Sequence, residues 1–263
     1  MTQNRPLAAW SAPLQAHGGR RGDGPLRLGL RLNHAALLRQ AGDGQRPDMA
    51  RLAEATVKAG ADSVVLRVDD GSGLITADDV RRIAERARVP LTLEMRPDPA
   101  RVAWVTSLNP AAVMLLPEPE ADVARMAEVA SSLHEAGVPV LALVAPEIEA
   151  IDQVQASGIR GIELDTTFYG EAAEELRAPL LQQIRHAASH AHGIGLGLQA
   201  GHALDYSTLA PIAGLPHIQG ITCGRFLITE ALFIGIEEAV RHTRRLIDAA
   251  RRQARRHATR GAD

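Results

Sequence analysis

A single cysteine, a single lysine and no long apolar run remove several classes of protein before any motif in this 263-residue sequence is considered. Cys223 alone excludes an internal disulfide and any zinc site built from several cysteines. Lys58, the only lysine, falls in a stretch from Pro47 to Ala59 whose apolar residues recur at helical spacing. A lysine on an outer helix cannot supply the amine of an enzyme-bound Schiff base, so class I aldolase chemistry is excluded. The apolar runs are strand-sized and broken by Gly, Pro or charge, well short of the ~20 residues that a membrane-spanning helix needs. No membrane association is expected. Acidic and basic residues nearly balance, 31 against 29, and are spread along the chain. That leaves no contiguous basic surface for a run of phosphates, so nucleic acid is not an expected partner. Residues 1–25 mix Arg, Gly and Pro without period or a signal-like apolar block and read as a flexible tail, which fits a cytoplasmic setting.

What is present is an alternation. From Leu26 onward, short β-rich runs alternate with longer segments of helical periodicity, and 46% hydrophobic residues suffice for one substantial core. Eight strands are expected, at 26–32, 62–68, 90–95, 111–116, 139–144, 161–164, 195–200 and 220–224. Glycine punctuates the turns in KAGAD, EAGVP, SGIRG and AHGIG, each just before a strand. The last helix is expected from about Thr229 to Ala254. Repeated right-handed βα units of this number predict an α/β fold, a (β/α)8 TIM barrel, as one domain over residues 26–255 with a second tail at 256–263.

Side chains alternate across a strand, so one parity at each strand's C-terminal end looks into the barrel mouth. That rule collects Arg31 and Asn33, Arg67 and Asp69, Thr92 and Glu94, Glu163 and Asp165, then Gln199 with Gly201 and His202, and Thr222 with Gly224 and Arg225. Two readings fit such a ring of charges, a structural ion-pair cluster or a ligand site. Gly201 and Gly224 let backbone approach a ligand in the loops where barrels often hold phosphate, and Arg225 offers a fork of donors beside them. His202 and Glu94 are the candidate proton carriers. Cys223 has the opposite parity and reads as packing. Hydrolysis assisted by a metal on Glu163, Asp165 and His202 lacks any tight ligand spacing; neither a metal nor an organic cofactor is expected.

The blocks RLGLRLNHAALLRQ, GADSVVLRVDDGSGLITADDV, LTLEM, LLPE, GIELDTTFYGEA, LGLQAGHALDY, CGRFLITEAL and GIEEAV resemble, in order and spacing, those of the pyridoxine 5'-phosphate synthase family. The resemblance implies a barrel with extra helices that forms homo-oligomers. It also implies condensation of two small phosphorylated substrates, 3-amino-2-oxopropyl phosphate and 1-deoxyxylulose 5-phosphate, into a ring. By the same resemblance Glu94 and His202 are catalytic, while His34, Glu163, Gly224, Pro117 and Glu118 match the family pattern. The departures are several: Arg31 and Asn33 stand for Asn and Asp, Arg67 and Asp69 for a catalytic His and an Arg, Leu74 and Arg225 for histidines, Ala203 for a glycine and Gly42 for an arginine, and the strand 4 loop is short. Arginine stays protonated, so Arg67 cannot accept a proton as a histidine would. With these changes, the expectation is the family reaction or a derivative with altered substrate. The alternative is a catalytically impaired relative that binds a phosphorylated metabolite or acts as an assembly partner.

Overall fold

A computed structural model describes residues 25–42, 46–68, 74–116 and 123–260. Eight parallel strands, β1 (Arg27–Arg31), β2 (Ser63–Arg67), β3 (Leu91–Met95), β4 (Ala112–Leu115), β5 (Val140–Val144), β6 (Gly161–Asp165), β7 (Gly197–Gly201) and β8 (Gly220–Cys223), pair in chain order. The barrel closes where Arg27 to Leu30 of β1 register with Gly220 to Cys223 of β8. Between them run α2 (Met49–Lys58), α3 (Ala77–Ala87), α4 (Val102–Ser107), α5 (Val123–Glu135), α6 (Ile148–Ala156), α8 (Glu174–Gly193) and α9 (Leu209–Ala213), with α11 (Ile236–Arg260) last. Three further helices, α1 (Asn33–Gln40), α7 (Thr167–Glu171) and α10 (Arg225–Ile234), begin directly after β1, β6 and β8. The expected TIM barrel with extra helices is therefore the observed fold, and the extra helices start at the mouth.

The single last helix expected from Thr229 to Ala254 is in fact two. Gly235 breaks it at φ 78°, a left-handed conformation that costs glycine nothing, and α11 then continues to Arg260, beyond the boundary expected at 255. The expected N-terminal tail lies outside the described residues, apart from residue 25.

Two apolar layers hold the molecule. One lies between sheet and helices and includes Leu28, Leu30, Val64, Leu66, Leu93, Ile162, Leu198 and Cys223. The other is a small cluster of Ala112, Met114, Leu116 and Leu141 with Leu143 against it, all from β4, β5 and the end of β4. Register places this second cluster on the inward parity, since Met114 pairs with Glu94 and Leu143 with Glu163. The barrel interior is thus apolar along β4 and β5, while the inward charged side chains Arg31, Glu94 and Glu163 come from β1, β3 and β6. Local chemistry fixes the helix starts: Thr76 and Asp79 form a reciprocal capping box on α3, and Asp48 caps α2. At the opposite end from the mouth, Arg244 of α11 donates to Asp62 Oδ2 at 3.0 Å and to the Leu26 carbonyl at 2.7 Å, tying the last helix to the first strand.

Candidate functional site

Arg31 ends β1 with its side chain inside the barrel, 5% exposed. Its Nε donates to Glu94 Oε1 at 2.6 Å and its Nη2 to Glu163 Oε1 at 2.9 Å. Glu94 on β3 and Glu163 on β6 are 2% and 0% exposed, so the guanidinium bridges two buried carboxylates drawn from different strands. Such carboxylates would be costly to ionise without a cation between them.

Glu163 gathers the most partners. Its Oε2 accepts from Gln199 Nε2 at 2.8 Å and Thr222 Oγ1 at 2.7 Å. Its Oε1, already bonded to Arg31, stands 3.3 Å from His202 Nε2, within ion-pair range but without hydrogen-bond alignment, so that the imidazole nitrogen is buried and unpartnered. Burial alone would raise the Glu163 pKa. The Arg31 charge and the adjoining His202 outweigh it and hold the carboxyl down at about 2. Glu163 is thus an anion at any ordinary pH.

Asn33, expected to share Arg31's face at the end of the first strand, is the first residue of α1. Its side chain nevertheless reaches the site: Nδ2 donates to Glu94 Oε2 at 3.2 Å, and Oδ1 accepts from the Arg67 backbone N–H at 2.7 Å. His34 follows it, half-buried, with Nδ1 sealed and unpartnered. Burial, then the charges of Arg225 and Arg31, lower its pKa, which makes it a neutral imidazole at pH 7.

The turn after β7 carries His202 at φ 78° and Ala203 at φ 51°, left-handed conformations rare outside glycine. Thr166 stabilises it. Its Oγ1 lies 2.7 Å and 2.6 Å from the Gly201 and His202 carbonyls, and its N–H donates to the Gly201 carbonyl at 2.8 Å. Gly170 must be glycine for the same reason, because a Cβ there would stand 2.2 Å from the Ala203 carbonyl oxygen. Sequence reasoning missed both Thr166 and Gly170. The signal was in the block GIELDTTFYGEA, whose small and hydroxyl residues follow directly on Glu163 and Asp165.

Gly201 and Gly224 do mark close approaches, but to protein. A Cβ on Gly201 would meet Glu163 Oε1 at 2.8 Å, and one on Gly224 would meet Arg31 Cβ at 3.1 Å. Arg225, expected to offer a fork of donors to an anion, pairs with Glu171 at 2.7 Å on an exposed surface. Asp165 faces its own turn, where Oδ1 accepts from the Thr167 N–H at 2.8 Å and hydroxyl at 2.5 Å. Among the described residues no three His, Cys, Asp or Glu side chains are grouped to hold a metal ion. Asp69, Pro117 and Glu118 lie outside the described residues. Cys223 packs on the helix side of β8, its thiol pushed up to about 12 by burial. Lys58 projects outward from α2 and pairs with Glu54 at 2.7 Å, far in the chain and on a different layer from the mouth.

A closed parallel barrel whose buried ionisable groups collect at the C-terminal ends of its strands defines the class of (β/α)8 proteins with a mouth site. Solved structures agree on the fold: a 4-hydroxy-2-oxoglutarate/2-dehydro-3-deoxyphosphogluconate aldolase from TTHB1 matches with TM-score 0.59 at 16% identity, covering 94% of this chain and 98% of that one. A tryptophan synthase α subunit from Legionella pneumophila matches with TM-score 0.58 at 16% identity, over 87% and 92%. The model of the family described as pyridoxal phosphate biosynthesis protein PdxJ matches residues 28–249, and the chain belongs to that family. Proteins named pyridoxine 5'-phosphate synthase from Rhodospirillum rubrum and Roseobacter denitrificans are 33% and 35% identical to it, across 86% of this chain and 96% and 97% of theirs.

Proposed function

We propose that the mouth carries out a pyridoxine 5'-phosphate synthase-like condensation, with Glu94 and His202 exchanging protons and the turns after β7 and β8 holding a phosphate. The observation that carries this reading is the buried contact chain in which Arg31 donates to Glu94 at 2.6 Å and to Glu163 at 2.9 Å, with His202 Nε2 standing 3.3 Å from Glu163 in ion-pair range. Both proton carriers thereby belong to the polar wall of the mouth, which borders the inward apolar face of Met114, Leu116 and Leu143 on β4 and β5. The names of the relatives support the same chemistry. Given 3-amino-2-oxopropyl phosphate and 1-deoxyxylulose 5-phosphate, the purified protein is expected to release inorganic phosphate and form pyridoxine 5'-phosphate. Folded protein that yields neither would exclude this reaction.

A second reading has its own support. Arg31 occupies Glu94 Oε1 with two of its nitrogens, at 2.6 and 2.5 Å, which restrains that carboxylate as a proton acceptor. A derivative acting on a different phosphorylated substrate, or a relative that binds one without turnover, fits this clamp. Thermal-shift hits among sugar and keto phosphates without product formation would favour it. We also propose a homo-oligomer, since Leu232 and Phe233 at the end of α10 and Phe168 on α7 are 75%, 83% and 80% exposed.

A further inference from the structure

His202 and Ala203 are consecutive left-handed residues, and neither is glycine. Such a pair persists only where its surroundings impose it. The groups that do so come from the end of β6 and from α7. The Thr166 N–H donates to the Gly201 carbonyl, which extends the β6–β7 ladder one step past the register of Asp165 with Gly201. The Thr166 hydroxyl shares its hydrogen between the Gly201 and His202 carbonyls. Gly170, fixed by its own N–H bond to the Thr166 carbonyl at 2.8 Å, leaves room for the Ala203 carbonyl. Farther along the same loop, the buried Tyr169 hydroxyl donates to the Thr208 carbonyl at 3.2 Å. The short helix α7 thus grips the loop at its start, at its turn and at its end.

Among these contacts the hydroxyl is the one that reaches the peptide of His202 itself. Thr166 is 1% exposed, so bulk water has no access to replace that bond. The orientation of this peptide fixes the direction in which the His202 side chain leaves the backbone. With it fixed, Nε2 is buried and stands 3.3 Å from Glu163 Oε1. Without the hydroxyl, the peptide can relax toward the right-handed region that an L residue prefers, and the imidazole then swings away from Glu163.

We propose that Thr166 is a positioning residue: through the carbonyl of His202 it sets the imidazole against Glu163, so that α7 serves the chemistry of the mouth without touching the reacting atoms. This rests on the reading of His202 as a proton carrier.

Thr166→Val removes the hydroxyl but keeps the shape and the backbone N–H, whereas Thr166→Ser keeps the hydroxyl. Carbethoxylation by diethyl pyrocarbonate, followed residue by residue in the full chain by mass spectrometry, reads the imidazole without any substrate. The exposed His134 on α5 is the internal reference. In Thr166→Val the His202 rate should rise at least about fivefold while that of His134 is unchanged, and in Thr166→Ser it should stay within about twofold of the unaltered protein. An unchanged His202 rate in the valine variant, a serine variant no better than the valine one, or equal acceleration of His134 overturns the proposal. Should Thr166→Val not fold, Gly170→Ala, whose methyl would strike the Ala203 carbonyl oxygen, should speed His202 likewise, and an unchanged rate there overturns it. Turnover of 3-amino-2-oxopropyl phosphate with 1-deoxyxylulose 5-phosphate gives the second readout. There Thr166→Val should lose at least about tenfold in kcat with KM within about threefold, and Thr166→Ser should recover most of it. An equal loss in both variants, or a change confined to KM, overturns the proposal. If the unaltered protein forms no product, the condensation reading fails separately and the carbethoxylation rates alone decide the role of Thr166.

Discussion

Arg31, Glu94 and Glu163 illustrate how a strand's parity reports on a site when the side chains are extreme. Charges at inward positions of a barrel have few ways to be tolerated, so their placement was legible from alternation alone. Their pairing was not, because nothing in a sequence says that β1 and β6 side chains meet across a barrel; Arg31 Nη2 and Glu163 Oε1 are 132 positions apart in the chain and 2.9 Å apart in space. The consequence for acid stability has a definite sign. Glu163 has a folded-state pKa near 2 against an ordinary 4.5, so its contribution is full above about pH 4.5 and is lost as the pH falls toward 2. Glu163→Gln should lower stability at pH 7 by about 3 kcal/mol, the cost of breaking a buried pair. It should also flatten the acid limb of a denaturation curve measured from pH 6 to pH 2. Unchanged steepness would place the titrating group elsewhere. Gly201→Ala brings a methyl to 2.8 Å from Glu163 Oε1 and 3.0 Å from Thr222. We expect about 1–3 kcal/mol of destabilisation and at least a tenfold loss in turnover of whatever substrate the assay identifies.

At the scale of the element, the turns that lead into strands share one device. Gly60, Gly137 and Gly158 each stand three residues before a strand with φ of 116°, 75° and 84°, and Gly195 two before β7 with φ 87°. Arg88, Asn109 and His217 hold the same place before β3, β4 and β8, with φ of 48°, 50° and 72°. The glycine turns could be read in the sequence because glycine advertises the conformation. The other three could not, since an arginine or histidine there carries no such mark and tertiary closure imposes the geometry. Arg88→Gly should relieve the left-handed strain and raise stability by about 0.5–1 kcal/mol in a urea titration. A loss instead would mean that the Arg88 side chain contributes more than its backbone costs. The division of the last helix at Gly235 was missed for a related reason, since apolar residues recur through both halves and only the backbone turn separates them.

For the whole molecule, order of elements was enough to reach the barrel, whereas the three mouth helices were expected only in kind and not in place. They matter because they carry most of the exposed large apolar residues: Phe168 from α7, Leu232 and Phe233 from α10, and Leu37 and Leu38 from α1 at 45% and 51% exposure. If a second copy covers this surface, Phe233→Asp should shift the sedimenting species toward monomer at micromolar concentration while melting of the isolated chain changes little. Identical sedimentation of both proteins would assign the contact to another face. The cation chemistry of the molecule has a practical corollary. Because Lys58 is the sole lysine and its ammonium is 68% exposed on α2, an acylating dye, a biotin ester or an activated sensor surface will find one side-chain amine, on the outer wall. Molecules tethered through that side chain share one orientation with the barrel mouth unobstructed, which suits surface-based binding measurements once acylation of the α-amino group is blocked.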